Sequence, residues 1–156
     1  MSTIPTLPGI TSKMIDTPRL KTHVLLSGDE KGTPVLFVHG NASSSTFWEE
    51  TMLKLPSGFH GVAVDLRGYG DTEDKLIDAT RGCGDWVDDL LAFNKTLGVK
   101  RYHVVGHSMG GSIVFNLIAA DAANVISATL VDPGSPFGFG GSKGVDGKPC
   151  YDDYAG

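Results

Sequence analysis

Short apolar runs rich in β-branched residues alternate along this chain with polar turns and with stretches of helical spacing. Residues 1–19 are rich in Pro and Thr, which predicts an extended start leading into an edge strand. Leu20 to Ser27 reads as a strand, and Gly28 to Pro34 as the polar turn that closes it. Val35-Leu36-Phe37-Val38 is apolar without a break, as expected of a strand buried on both faces of a parallel sheet. Phe47 to Leu55 carries apolar residues at helical spacing and is closed by Pro56. Gly61 to Asp65 is another short apolar strand, and residues 72–84 form a polar connection. From Asp85, the positions of Trp86, Leu90, Leu91, Phe93 and Leu97 predict an amphipathic helix that stops at Gly98. Tyr102 to Gly106 is a strand, the following helix runs to about Ala123, and Val125 to Val131 is a further strand. After Pro136 the periodicity stops and glycines crowd in.

Strands alternating with helices predict an α/β fold: a mostly parallel sheet with helices on both faces. Residues 1–135 read as the N-terminal part of one core domain. Residues 136–156 read as a Gly-rich segment leading to a cap, a lid or a cleavage site. Ligands of such sheets bind beyond the carboxyl ends of the strands. His39-Gly40-Asn41, Asp65, Ser108 and Asp132 all fall at such ends, so four polar features converge on one edge.

The chemistry centres on Gly106-His107-Ser108-Met109-Gly110, between an apolar strand and a buried helix. A serine at so sharp a corner takes a strained backbone, and side chains two residues to either side would collide with each other, so only small residues fit. The corner pushes the hydroxyl clear of the sheet and turns the first helical N–H groups toward whatever it attacks. This nucleophile elbow resembles that of the α/β-hydrolase family, in its serine esterase and lipase branch. The resemblance covers the N-terminal portion of such a fold. It implies that Ser108 is the nucleophile and that the backbone N–H groups of Met109 and Asn41 form the oxyanion hole. It also implies that His39 is a packed structural residue rather than the base. Asp65-Leu66-Arg67-Gly68-Tyr69-Gly70-Asp71 resembles the family's Asp-x-x-Gly-x-Gly loop, which implies structural roles for Asp65 and Arg67. The Asn41 side chain has two readings, into a pocket or capping a turn. Phe47 and Trp48 are each open to a pocket or a core role.

A serine needs a histidine to take its proton and a carboxylate to orient that histidine. The family order is nucleophile, acid, histidine. All five histidines here (His23, His39, His60, His103 and His107) precede Ser108, so the catalytic His is not in this chain. His107, next to the nucleophile, cannot turn its ring onto that hydroxyl as a base must. Asp132, at the end of the next strand, is the possible triad acid, although Asp-Pro at a strand end is also ordinary turn chemistry. A second polypeptide carrying the C-terminal half is the expected partner, the break falling in the Gly-rich loop. The resemblance then implies a serine hydrolase acting on a small carboxylic ester or lactone through an acyl-enzyme on Ser108. Amidase, thioesterase, C–C hydrolase and perhydrolase chemistry use the same serine, and a non-catalytic binding relic is the alternative of another class. The dehalogenase branch shares the loop motifs but uses an aspartate where Ser108 stands.

Composition narrows this further. A formal net charge of −5 leaves no electrostatic footprint for nucleic acid. No stretch is long and apolar enough to span a membrane. Cys83 and Cys150 have neither metal-ligand spacing nor the density of a disulfide scaffold, although a bridge between them remains open. No metal or organic cofactor is implied. The N-terminus lacks a secretory signal, so a reduced, cytoplasmic setting is expected.

Overall fold

The computed structural model describes residues 5–134, together with the backbone of 142–143 and 148–149. Strand β1 (Thr11–Asp16) and strand β2 (Lys21–Gly28) form an antiparallel hairpin. Strand β3 (Thr33–Val38) leads to a 3-10 turn at Ser45–Trp48, a single helical turn α1 (Glu49–Met52), and strand β4 (Phe59–Val64). Helix α2 (Gly84–Thr96), strand β5 (Tyr102–His107), helix α3 (Met109–Asp121) and strand β6 (Val125–Val131) complete the described core. The sheet order is β1-β2-β4-β3-β5-β6. Strands β4, β3, β5 and β6 are mutually parallel, while β1 and β2 run antiparallel on one side. The mostly parallel α/β architecture predicted from the periodicity is the one observed.

Two differences follow from local chemistry. The helix expected over residues 47–55 is a 3-10 turn plus one α turn, because the chain leaves helical geometry ahead of Pro56. The polar connection 72–84 contains a 3-10 turn at Ala79–Arg81, capped by the Asp78 side chain accepting from the Thr80 N–H. Within 136–156 only the two-residue pair Ser142–Lys143 and Lys148–Pro149 is described. The expected cap, lid or cleavage site there, and Cys150, lie outside the described residues.

Each face of the sheet has its own core, set by the two-residue alternation of strands. Val24, Leu36, Val62, Val64 and Val104 meet α2 and α3 through Leu90, Phe93, Ile113 and Leu117. Leu25, Val35, Phe37 and Ala63 meet Trp48 and Met52 on the other face. Each buried Val, Leu, Ile, Phe or Met side chain here stabilises the fold by about 2 kcal/mol. Trp48 is therefore a core residue, stacked at a tilt on Phe37. Strand β6 is the exception, with Ile126 and Val131 substantially exposed.

A largely buried ion cluster ties two segments to α2. Arg67 grips Asp89 with two parallel bonds, Nε to Oδ2 and Nη2 to Oδ1, each 2.8 Å. Arg19, in the turn before β2, donates to the same carboxylate at 2.6 Å. The pair is buried at both ends, so removing one partner strands the other's charge. Asp89→Ala is expected to lower stability by about 3 kcal/mol in urea denaturation. Leu97→Ala, at an exposed position at the end of the same helix, is expected to change it by about 0.5 kcal/mol or less.

Candidate active site

Strand β5 ends at His107, α3 begins at Met109, and Ser108 alone makes the corner with φ 54° and ψ −117°. A non-glycine residue in this region costs roughly 1–3 kcal/mol and persists only where its surroundings hold it. Here the Ser108 N–H donates to the Val131 carbonyl at 3.1 Å, and the Ser108 carbonyl accepts from the N–H groups of Gly111 and Gly134. The flanking glycines are required, but not because their side chains would strike each other. A Cβ on Gly106 would stand 2.5 Å from the Gly110 carbonyl oxygen and 2.7 Å from a Val114 methyl. A Cβ on Gly110 would stand 2.5 Å from the His39 carbonyl oxygen and collide with that of Val38. Both clashes are largely with backbone, which cannot yield.

The loop after β3 closes over this corner. A Cβ on Gly40 would lie 3.1 Å from that of Ser108, so residues 40 and 108 are in direct apposition. Among the described residues, the backbone N–H groups of Asn41 and Met109 find no hydrogen-bond partner. The Asn41 side chain is tied to the loop after β4. Its Oδ1 accepts from the Tyr69 hydroxyl at 2.7 Å. Tyr69 also lies 3.8 Å from Met109 Sδ and packs edge-on against His39. Sequence reasoning had not singled out Tyr69. The Asp65–Asp71 motif was the available signal, but nothing in it says where the phenol points.

Four of the five histidines, His23, His39, His60 and His103, make hydrogen bonds away from Ser108. His23 is buried between Asp65 and Ser12, His60 bonds the Ser27 carbonyl, and His103 bonds Ser127. His107 stacks on Phe47 with ring centroids 4.8 Å apart, and its buried Nδ1 has no partner. Phe47 itself is half exposed beside the corner. Ser12, His23 and Asp65 do form one hydrogen-bonded line, at 2.8 and 2.7 Å. Ser12, however, lies within the straight β1–β2 ladder, with no strained corner or helix N-terminus beside it to receive an oxyanion. Asp132, at φ 44° directly after β6, is exposed and makes no hydrogen bond among the described residues. A cleft of about 480 Å³ beside the β1–β2 turn, lined by Arg19, Lys21, Glu73 and Lys75, has no serine, cysteine or histidine in its lining. Among the described residues no group of three or more His, Cys, Asp or Glu could hold a metal ion, and no helix is long and apolar enough to cross a membrane.

The model of the alpha/beta hydrolase family matches residues 35–153. This chain belongs to the α/β-hydrolase family. It is 30% identical over 118 residues to the uncharacterized carboxylesterase nap of Bacillus subtilis (strain 168), covering 75% of this chain and 39% of that protein. It is 32% identical over 146 residues to epoxide hydrolase 3 of Siraitia grosvenorii, covering 87% and 46%. Among solved structures, a bacterial membrane phospholipase A superposes with a TM-score of 0.74 at 28% identity, covering 81% of this chain and 41% of that one. The chain therefore spans less than half the length of these relatives.

Two buried titratable groups hold the site of this α/β-hydrolase together. Burial pushes the Asp65 carboxyl up, but bonds from the His23 ring and the N–H groups of Ser45 and Asp71 outweigh it and leave it below the usual carboxylate range. Asp65 thereby pins β2, the end of the loop after β3 and the turn after β4 to one point. Burial also pushes His39 down, only partly opposed by its bond to the Gly40 carbonyl and by the Asp65 charge. The Leu66 N–H donates to His39 Nε2 at 3.1 Å, which requires that nitrogen to be unprotonated. His39 is thus held neutral while folded, and the unfolded chain takes up a proton first as pH falls. Its stabilising effect is complete above the unfolded pKa of about 6.5 and declines below it. Thermal unfolding is expected to occur at a lower temperature at pH 5 than at pH 7.5, with a smaller difference in His39→Gln.

Proposed function

We propose that this chain carries the nucleophile and oxyanion hole of a serine hydrolase that cleaves small carboxylic esters or lactones. The observation that carries the reading is Ser108 at a left-handed corner, in apposition to Gly40, with the N–H groups of Asn41 and Met109 unpartnered among the described residues. Ser108 Oγ attacks the carbonyl carbon and passes its proton to a histidine base. The carbonyl oxygen takes the negative charge and is stabilised by the two N–H groups, each donor being worth about 3–4 kcal/mol in comparable sites. The tetrahedral intermediate collapses, the C–O bond to the alcohol breaks, and the alcohol leaves with the proton from the histidine. Water then hydrolyses the acyl ester on Ser108 by the same path in reverse.

The base is a histidine outside these 156 residues, on a second polypeptide or a further C-terminal half, because four histidines of this chain are hydrogen-bonded elsewhere and His107, adjacent to Ser108, stacks on Phe47. Asp132, exposed beside the corner, is the candidate to orient it. The carboxylesterase among the relatives supports ester cleavage. The epoxide hydrolase relative raises a second chemistry, which the hydroxyl at position 108 disfavours. Serine opening an epoxide would form an ether that water does not cleave, whereas serine attacking a carbonyl forms an ester that it does.

A fluorophosphonate is expected to label Ser108 in the intact assembly and to leave Ser108→Ala unlabelled, with loss of p-nitrophenyl acetate hydrolysis in that variant. An intact assembly that takes up no label would refute the reading. Native mass spectrometry of the labelled material is expected to show a mass greater than that of this chain, with a histidine in the additional polypeptide.

A further inference from the structure

Tyr69 touches the side chains of both residues whose N–H groups would receive the oxyanion. Its hydroxyl donates to Asn41 Oδ1 at 2.7 Å and lies 3.8 Å from Met109 Sδ. We propose that Tyr69 is the positioning residue of the oxyanion hole, fixing the Asn41 N–H relative to that of Met109. This rests on the serine-hydrolase reading above.

The need for such a residue comes from the loop itself. It is anchored at one end by buried His39 and at the other by the Ser45 N–H on Asp65, at 2.6 Å. Between these anchors Gly40 has no side chain, and Asn41 and Ala42 are exposed, Ala42 at φ 51°. Among the described residues, the only hydrogen bond made by Asn41 is the one from Tyr69. An oxyanion donor must be placed to within about 0.5 Å to act.

The other half of the contact is rigid. The Tyr69 N–H donates to the Leu66 carbonyl at 2.9 Å, and its ring lies edge-on to His39 with centroids 5.3 Å apart. The next residue, Gly70, passes so close to the Asp65 carboxylate that no Cβ fits. Tyr69 therefore carries the rigidity of the Asp65 hub to the exposed middle of the loop.

Tyr69→Phe keeps the ring packing and removes only the hydroxyl. In the intact assembly its kcat on p-nitrophenyl acetate is expected to fall roughly three- to tenfold, the worth of one hydrogen bond, with KM and the thermal midpoint little changed. Asn41→Ala, which keeps the backbone N–H, is expected to cost a similar factor, and the double variant no more than either alone. A wild-type kcat in Tyr69→Phe, or losses that multiply in the double variant, overturns the inference while leaving the serine-hydrolase reading intact. A wild-type assembly that neither turns over ester nor takes up fluorophosphonate overturns both.

Discussion

The start of α3 lies against the end of β3, backbone on backbone. Position 110 has no side chain, so the helix can approach the carbonyl groups of Val38 and His39 more closely than any other residue would allow. That approach brings the first N–H groups of α3 beside the loop at Gly40 and Asn41. It also forces the chain to turn from β5 into α3 within one residue, and the strain at Ser108 follows from this. The strain is sustained by hydrogen bonds to three different segments: Val131 at the end of β6, Gly134 just beyond it, and the first turn of α3 itself. A single steric allowance at one glycine thus sets both the exposure of the hydroxyl and its distance from the loop across the site.

The polar half of the site depends on Asp65 in the same way. Its carboxylate is buried, and its oxygens collect bonds from His23 on β2, Ser45 beyond β3 and Asp71 beyond β4. A buried carboxylate with fewer partners would be costly, whereas one with three acts as a rigid junction between segments far apart in sequence. His39 performs the complementary task as a neutral group, donating to the Gly40 carbonyl and accepting from Leu66.

The chain declares its strands openly. Val35–Val38 is apolar throughout because both faces of a central parallel strand are covered, and that is visible in the residues themselves. The corner at Ser108 is legible for a similar reason, since the glycines it needs are written beside it. Less legible is what depends on pairing across the sheet. Placing β4 between β2 and β3 brings His23 beside Asp65 across 42 positions, and no local pattern reports this. Tyr69 escaped notice because a tyrosine in a glycine-flanked turn looks like turn filler until its hydroxyl is located. Asp132 stands near the corner, as its place in the chain suggested, yet a carboxylate becomes part of a triad only through the histidine it faces. The true cause of glycine at 106 and 110, contact with carbonyl groups, needs the third dimension as well.

The two edges of the sheet differ in a way that bears on how the molecule behaves in company. The outer strand β1 carries Lys13 and Asp16, charges that a strange strand would have to desolvate in order to pair with it. Strand β6 reads Val-Ile-Ser-Ala-Thr-Leu-Val, with no charge and no proline, and most of its residues are exposed. Backbone donors and acceptors along such an edge are indifferent to the origin of the strand that meets them. Any strand paired along β6 would therefore also keep this chain from adhering to its own copies.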